Sequence, residues 1–160
     1  MEQRAGTLNM DMEKLQEDLT FDEGCINEVY LDHLGYATFG IGHLVLESDP
    51  EHGQDVGTDV SETRIKECFE KDIENVFEDV DRNTPWWRDL PDDLTLVMAN
   101  MSFNLGVTRL LKFKNFLAAM EGNDWDRAAV EMIDSRWAKQ VGPRAIRLRD
   151  RVLKGGSSNV

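Results

Sequence analysis

The sequence has little of what would point to a membrane, a metal site or an oxidising compartment. No apolar stretch approaches the roughly 20 residues that a membrane-spanning helix needs, so we expect no stable membrane insertion. The chain has only two cysteines, Cys25 and Cys68. They fit no metal-ligand spacing, and we interpret them as free thiols, with a single disulfide as the alternative. We therefore expect neither a metal site nor a cofactor.

The first residues of the chain lack the apolar core of a secretory signal, because Glu2, Arg4 and Asp11 interrupt them. We interpret residues 1–12 as a loose N-terminal extension. A chain of this kind is expected to be made and folded in the cytoplasm.

Positive charge is scarce and unevenly placed. The chain has 18 Lys and Arg against 31 Asp and Glu, which gives a net charge of −13. Residues 1–93 carry 7 basic and 25 acidic residues, a net −18, whereas residues 94–160 carry 11 and 6, a net +5. We therefore do not expect nucleic acid as a partner, although the basic part could attract an anionic polymer.

The basic residues of the C-terminal part form either a local basic face or an ordinary set of solvated helix charges. They include Arg136, Lys139, Arg144, Arg147, Arg149, Arg151 and Lys154.

Apolar periodicity and glycines predict an α+β fold. A helix is predicted from about residue 12 to Gly24, a glycine of the kind that often follows a helix end. Residues 26–45 are rich in β-forming residues and are cut by glycines, which predicts a small antiparallel sheet with tight turns. A loop over residues 47–60 precedes a long helix from Ser61, its predicted N-cap, to about Val80. Four further helical segments are predicted, near residues 92–105, 108–120, 124–135 and 143–153, with Asp124 as an N-cap.

These elements predict one small sheet lobe and one mainly helical lobe joined by the long helix. The sheet lobe covers about residues 22–60, the connecting helix about 61–80 and the helical lobe about 84–153. Residues 154–160 are predicted to be a flexible tail because Gly and Ser dominate them.

The candidate catalytic residues lie between residues 23 and 43, where Glu23, Asp32 and Thr38 share one glycine-rich segment. Two carboxylates suit hydrolysis of a glycosidic bond, because one carboxylic acid protonates the leaving oxygen while a second carboxylate acts as base or nucleophile. Glu23 is predicted at the negative end of a helix, which disfavours its ionised form and suits an acid. Asp32 is predicted in a wetter turn, and the Thr38 hydroxyl can hold a water molecule.

Each of these residues taken alone has a simpler explanation. Acidic residues make up 31 of 160, so a Glu–Asp pair nine residues apart is more often solvated surface. Thr38 alone is an ordinary strand residue. His43 alone is more often a structural histidine than a base or a ligand.

Together, however, the Glu23–Asp32–Thr38 spacing and the segment Gly40-Ile41-Gly42-His43 resemble the phage-type lysozymes, or endolysins, of glycoside hydrolase family 24. The resemblance covers roughly residues 13–153. It continues through residues 61–69 of the long helix and through NMSFNLG and WDRAAVEMIDSRW in the helical lobe.

The resemblance implies a lysozyme-like fold with an active-site cleft between the two lobes. Glu23 would be the general acid, and Asp32, helped by Thr38, would hold or activate water on the opposite face of the sugar. The bond cut would be the β-1,4 linkage between N-acetylmuramic acid and N-acetylglucosamine in bacterial peptidoglycan, with inversion at the anomeric centre.

Other family positions imply substrate contacts and one structural pair. Substrate-binding positions fall on Leu44, Phe103, Asn104 and Arg144, the last being close to the catalytic Glu in the family. His43 and Asp72 match an ion pair that is structural rather than catalytic. The chain departs from the family at Phe116 and Glu131, so cleft-lining roles are not carried over to these two residues.

In biological terms, the resemblance implies an endolysin that causes host cell lysis and phage release. Such an enzyme would wait in the host cytoplasm as a monomer and act on the wall in the periplasm after membrane permeabilisation, depending on a holin without binding it. The alternatives are a tail-associated lysozyme, a lysozyme-like toxin domain and an inactive peptidoglycan-binding module. A lytic transglycosylase is the rival chemistry, although Asp32 and Thr38 favour hydrolysis.

Overall fold

The fold combines many helices with one small sheet in a computed structural model that describes residues 10–157. The α-helices of this range are α1 (Met12–Glu23), α2 (Glu62–Asn83), α3 (Asp92–Leu105), α4 (Val107–Leu110), α5 (Lys114–Glu121), α6 (Trp125–Ile133), α7 (Arg136–Val141) and α8 (Pro143–Ser157). Pro85–Asp89 forms a 3₁₀ helix. The strands are β1 (Ile26–Leu31), β2 (Ala37–Gly40) and β3 (His43–Leu44). The predicted α+β, lysozyme-like class is confirmed.

The sheet is antiparallel, in the order β1-β2-β3. Tyr30 pairs with Thr38, and Thr38 pairs in turn with Leu44, so one row of residues crosses all three strands. The β2–β3 connection is only two residues long, and Gly42 within it has a φ of +63°. Glycine reaches this left-handed conformation without steric cost, which lets the chain reverse in so short a turn.

The chain groups into two compact units by its internal contacts. We call Gln16–Asn75 the sheet unit and the rest of the chain the helical unit. The boundaries fall inside α1 and inside α2, so both helices contribute to both units. The predicted sheet lobe, about residues 22–60, is therefore narrower than the sheet unit, which also takes most of α1 and most of α2.

The core of the helical unit is built around α3, which is buried along most of its length. The helix packs on α8, and α6 packs on both α5 and α8. Its buried residues are Leu94, Thr95, Leu96, Val97, Met98, Ala99, Asn100, Met101, Ser102 and Leu105. Burial of a helix on nearly all sides is typical of a central core element.

Two predicted N-caps and the state of the cysteines are confirmed. Ser61 Oγ accepts a hydrogen bond from the Arg64 N–H at 3.1 Å, and Asp124 Oδ1 accepts one from the Arg127 N–H at 3.2 Å. Cys25 and Cys68 are both free thiols, the first exposed and the second buried.

The helices of the helical unit differ from the sequence prediction at two places. The helix predicted near residues 108–120 is two helices, α4 and α5, separated by a turn. Helix α7 was not predicted, although Ser135 caps its first turn by accepting the Ala138 N–H at 3.1 Å. Gly142, with a φ of +57°, ends α7.

The predicted flexible tail is wrong for residues 154–157, because α8 continues to Ser157. Gly155 and Gly156 are buried. A Cβ at Gly156 would lie 2.4 Å from Trp125 Cγ, so the glycine permits a close approach rather than a loose chain. Residues 158–160 of that predicted tail, and residues 1–9 of the predicted N-terminal extension, lie outside the described residues.

Candidate active site

Glu23 is the last residue of α1, where unsatisfied carbonyls give the helix end a partial negative charge. Gly24 follows with a φ of +80° and donates its N–H to Thr20 O at 2.9 Å, which turns the chain towards β1. The half-buried Glu23 side chain approaches the β2–β3 turn: a Cβ at Gly42 would lie 3.4 Å from Glu23 Oε1. The two ends of the 23–43 segment are therefore neighbours within the sheet unit.

Asp32 directly follows β1 and shapes the turn between β1 and β2. Its Oδ1 accepts hydrogen bonds from the N–H groups of Leu34 and Tyr36, both at 2.9 Å. Its own N–H donates to Tyr36 O at 2.9 Å, so strand pairing continues through Asp32. Within the described residues both side-chain bonds end on Oδ1, which leaves Oδ2 available to accept from a water molecule.

Thr38 lies on the central strand β2 and is 5% exposed. Its Oγ1 donates to Tyr36 O at 2.9 Å. The hydroxyl hydrogen is thus committed to the backbone, while the oxygen lone pairs remain to accept a hydrogen bond. The sheet unit brings Asp32 and Thr38 to adjacent strands of the same hairpin.

The structure brings His43 and Asp72 together and adds a second carboxylate. His43 Nδ1 lies 2.7 Å from Asp72 Oδ2, and Nε2 lies 2.8 Å from Asp49 Oδ2. Ionised carboxylates only accept hydrogen bonds, so both ring nitrogens must donate, which requires the imidazolium form. Through Asp72 this pairing joins β3 to α2, and through Asp49 it joins β3 to the loop that follows β3.

Arg64 extends this group into a partly buried charge network. Its Nε lies 2.9 Å from Glu51 Oε2, and one of its terminal nitrogens lies 3.1 Å from Asp49 Oδ1. We call His43, Asp49, Glu51, Arg64 and Asp72 the charge network. Sequence reasoning missed its three new members, because Asp49-Pro50 indicated only a turn and nothing in the spacing linked Arg64 to that loop.

The charge network shifts the pKa values of His43, Asp49 and Glu51. Burial opposes protonation of His43, but hydrogen bonds and charges from Asp72 and Asp49 outweigh it and raise the histidine pKa. Burial also works against ionised Asp49, but the Leu46 N–H, His43 and Arg64 together lower its pKa. The Arg64 hydrogen bond lowers the pKa of Glu51, overcoming the effect of burial.

The remaining predicted contacts are placed as follows. Leu44 is on β3 and is 48% exposed, so its side chain is open to a ligand. Phe103 and Asn104 lie half-buried near the end of α3. Asn104 Oδ1 accepts the Trp137 indole N–H at 2.7 Å, which leaves its amide nitrogen for another partner. Arg144 is buried, and its Nε donates to Asn100 Oδ1 at 2.9 Å.

The helical unit also contains a pocket of about 620 Å³. Four cationic side chains line it together with two carboxylates and an aromatic pair. These are Arg109, Lys112, Lys114, Arg136, Glu131, Asp134, Phe113 and Trp137. The two aromatic rings meet edge to face, with centroids 6.0 Å apart. Phe116 and Glu131, where the chain departs from the family, both lie here.

Residues 10–157 contain neither a metal-binding cluster nor a membrane-spanning helix. No group of three or more His, Cys, Asp or Glu side chains in this range is arranged to hold a metal ion. No helix in the same range is both long and apolar enough to cross a membrane.

Comparison with known proteins gives a family match and several relatives. The Phage lysozyme family profile matches residues 21–154. Probable T4-type lysozyme 1 of Dictyostelium discoideum is 29% identical over 164 residues, covering 91% of this chain and 96% of that protein. Probable T4-type lysozyme 2 of the same organism is 28% identical over 153 residues, covering 84% and 90%.

A third relative is much longer than this chain. The pre-baseplate central spike protein Gp5 of Enterobacteria phage T4 is 29% identical over 165 residues. That match covers 92% of this chain but only 28% of the spike protein.

Proposed function

Because this chain belongs to the phage lysozyme family, we propose that it is a muramidase that hydrolyses the β-1,4 bond between N-acetylmuramic acid and N-acetylglucosamine in peptidoglycan. The observation that carries the proposal is the arrangement of Glu23, Asp32 and Thr38 around one hairpin and one helix end. These residues supply an acid, a base and a water-holding hydroxyl, as glycosidic hydrolysis requires.

In the proposed mechanism, Glu23 is the general acid. Its proton passes to the glycosidic oxygen as the bond to the anomeric carbon breaks, and the leaving sugar departs as a neutral alcohol. Its place beside Gly42 supports this role, because the absence of a Cβ there keeps the Glu23 carboxyl uncovered on that side.

Asp32 and Thr38 handle the attacking water in this proposal. One water hydrogen is donated to Asp32 Oδ2 and the other to the lone pairs of Thr38 Oγ1, since the Thr38 hydrogen is already held by Tyr36 O. Because the water donates both of these hydrogen bonds, a lone pair of the water oxygen is directed at the sugar. Asp32 then takes the proton as the new bond forms. A water held on the face opposite Glu23 gives inversion, which NMR of the first-formed anomer would reveal.

Substrate contacts are proposed for Leu44, Phe103, Asn104 and Arg144. Leu44 supports this because it is exposed on β3, directly across from Thr38. In the helical unit, the cationic pocket adjoins Trp137, whose indole is bonded to Asn104. Four cations against two carboxylates leave the lining of this pocket with a net charge of +2, which suits carboxylates of the peptidoglycan polymer.

The test compares Glu23→Gln with Glu17→Gln, a matched change at an exposed position of the same helix. We expect Glu23→Gln to lower the rate of peptidoglycan hydrolysis by about 10²–10⁴-fold, with an unchanged melting temperature. Glu17→Gln should retain wild-type activity. Mass spectrometry of the products should find reducing ends. Full activity of Glu23→Gln, or 1,6-anhydro ends from a transglycosylase, would overturn the proposal.

The biological setting has two candidates. An endolysin would wait in the host cytoplasm as a monomer, depend on a holin without binding it, and reach the wall after membrane permeabilisation to cause lysis and phage release. A tail-associated lysozyme is favoured instead by the similarity to the spike protein Gp5. A holin or spanin gene adjacent to the gene of this protein would support the endolysin, and detection of the protein in purified virions would support the tail-associated lysozyme.

Two further alternatives are a lysozyme-like toxin domain and an inactive peptidoglycan-binding module. The presence of Glu23, Asp32 and Thr38 argues against the inactive module. Turbidity loss of purified peptidoglycan on addition of the protein would exclude it.

A further inference from the structure

Tyr30 lies among the three residues of the proposed site, and sequence reasoning gave it no role. It pairs with Thr38 across β1 and β2, and Thr38 pairs with Leu44 across β2 and β3. Residues directly opposite each other share one face of a sheet, with Cβ atoms roughly 4.5–5.5 Å apart. Tyr30, Thr38 and Leu44 therefore form one row, and Thr38 stands in its middle.

The same face also includes Asp32. Side chains two residues apart on a strand point to the same side, and pairing continues through Asp32, whose N–H bonds to Tyr36 O at 2.9 Å. Val29, on the opposite side of β1, is fully buried, whereas Tyr30 is only half-buried. Tyr30 is thus next to Thr38 across the sheet and next to Asp32 along the strand, and its side chain is partly exposed to solvent.

Hydrogen-bond donors are few on this face. The Thr38 hydroxyl donates to Tyr36 O, and Asp32 Oδ1 accepts the N–H groups of Leu34 and Tyr36. In the part of the chain that the structure describes, the Tyr30 hydroxyl has no hydrogen-bond acceptor among protein atoms. Sugar ring, glycosidic and N-acetyl oxygens only accept hydrogen bonds, so this phenol is a donor that matches them.

We propose that Tyr30 is a further substrate-contacting residue, whose hydroxyl donates a hydrogen bond to the sugar bound over Thr38. The proposal rests on the proposed function, because it uses the same site and the same glycan.

The surroundings of Tyr30 keep that donor available. Burial, followed by the negative charges of Asp32 and Glu23, raises the pKa of Tyr30. The phenol therefore stays protonated wherever the enzyme works near neutral pH. Sensitivity to both charges also places both carboxylates within electrostatic reach of the ring.

The first test removes one oxygen atom. Tyr30→Phe should lower kcat/KM on soluble glycan strands by a few-fold to about tenfold, the effect of losing one hydrogen bond. The loss should appear mainly in KM, because the contact is made in the ground state as well. The melting temperature should not change. Tyr36→Phe, the same change at the exposed second tyrosine, should keep wild-type kinetics.

The second test does not depend on hydrolysis. In a Tyr36→Phe background Tyr30 is the only tyrosine, so phenolate absorbance follows it alone. Glu23→Gln or Asp32→Asn should each lower its titration midpoint, because each removes a nearby negative charge. Glu17→Gln should not. Adding glycan strands to the Glu23→Gln protein should raise the midpoint, because a hydrogen bond from the phenol to the sugar favours its protonated form.

The outcomes separate the two proposals. If the wild type hydrolyses peptidoglycan and Tyr30→Phe matches it in kcat and KM, the Tyr30 contact is rejected while the proposed function stands. If the wild type is inert, the proposed function fails. The glycan-induced shift then decides the Tyr30 contact alone, and an unmoved midpoint rejects it.

Discussion

The sheet unit and the helical unit differ most in their charge. Residues 16–75 carry 16 Asp and Glu against 3 Lys and Arg, a net −13, whereas the other 100 residues carry 15 of each. The whole net charge of the protein therefore belongs to the unit that holds Glu23, Asp32 and Thr38. The division at residue 93 separates a net −18 from a net +5, whereas the division into compact units separates a net −13 from a neutral remainder.

The two units also differ in what stabilises them. The helical unit is built on the apolar burial of α3, whereas the sheet unit has the partly buried charge network beside a smaller apolar core. Burial of apolar surface responds little to pH, but paired ionisable groups stabilise only where both are charged. Changes in the two units should therefore differ in how their effects depend on pH.

The largest expected effect is in the helical core. Met98 is fully buried on α3, so Met98→Ala should lower the free energy of unfolding by about 2–5 kcal/mol through lost contacts and a cavity. The loss should be the same at pH 5 and pH 8 in chemical denaturation. Met98→Leu, which conserves volume, should cost less than about 1.5 kcal/mol. A strongly pH-dependent loss for Met98→Ala would contradict the contrast between the units.

A somewhat smaller effect is expected from Arg64 in the sheet unit. Arg64→Met keeps the apolar stem but leaves Glu51 without its cation and Asp49 with His43 alone, which should cost about 1.5–3 kcal/mol at neutral pH. Lys66→Met makes the same charge change at an exposed position of α2 and should cost little. Equal melting temperatures for the two variants would show that the charge network does not stabilise the unit.

His43 should make stability depend on pH in a defined direction. Its raised pKa means that its contribution is fully present below the ordinary histidine value of 6.5 and is lost as pH rises through the folded pKa. The lowered pKa values of Asp49 and Glu51 mean that theirs is present above the ordinary values of 3.8 and 4.5 and is lost as pH falls through the folded values.

The charge network should therefore stabilise the protein most between about pH 4.5 and 6.5. His43→Gln should lose about 1–2 kcal/mol in that window, and less above it, in denaturation curves measured across pH. His52→Gln, at an exposed histidine, is the control. A His43→Gln loss that grows as pH rises would have the wrong sign.

The smallest effects should be equal in the two units. Ser61 in the sheet unit and Ser135 in the helical unit both cap a helix by accepting an N–H at 3.1 Å. Replacing either by Ala should cost about 1 kcal/mol at every pH, because a cap is a local hydrogen bond. If thermal melts gave the two variants free energies of unfolding that differ by much more than this, the loss of one cap would destabilise one unit more than the other.

Local patterns predicted much of the fold. The Ser61 and Asp124 caps, the glycine-cut strands and the end of α1 at Gly24 all depend on residues close together in sequence. The predicted tail failed because Gly155 and Gly156 have a linker-like composition, while Gly155 packs closely against Asp93 and Leu94 and Gly156 lets α8 approach Trp125. Such a contact, about 30 residues away in sequence, leaves no periodic signal.

Local sequence patterns predicted part of the candidate site, as they did for the fold. The spacing of Glu23, Asp32 and Thr38 identified one segment, and the hairpin places Asp32 directly after β1 and Thr38 on β2. The second carboxylate on His43 could not be predicted, because Asp49 reaches it through a loop without periodic structure. Tyr30 could have been found by counting the register across the predicted hairpin.

The aromatic residues divide between the units in a way that makes the protein its own optical reporter. All four tryptophans, Trp86, Trp87, Trp125 and Trp137, belong to the helical unit, and both tyrosines belong to the sheet unit. Tryptophan emission therefore follows only the helical unit, whereas far-UV circular dichroism follows both. Superimposable unfolding curves from the two signals would indicate one cooperative transition. In Arg64→Met, a loss of circular dichroism that precedes the change in tryptophan emission would show the sheet unit unfolding first, without any added label.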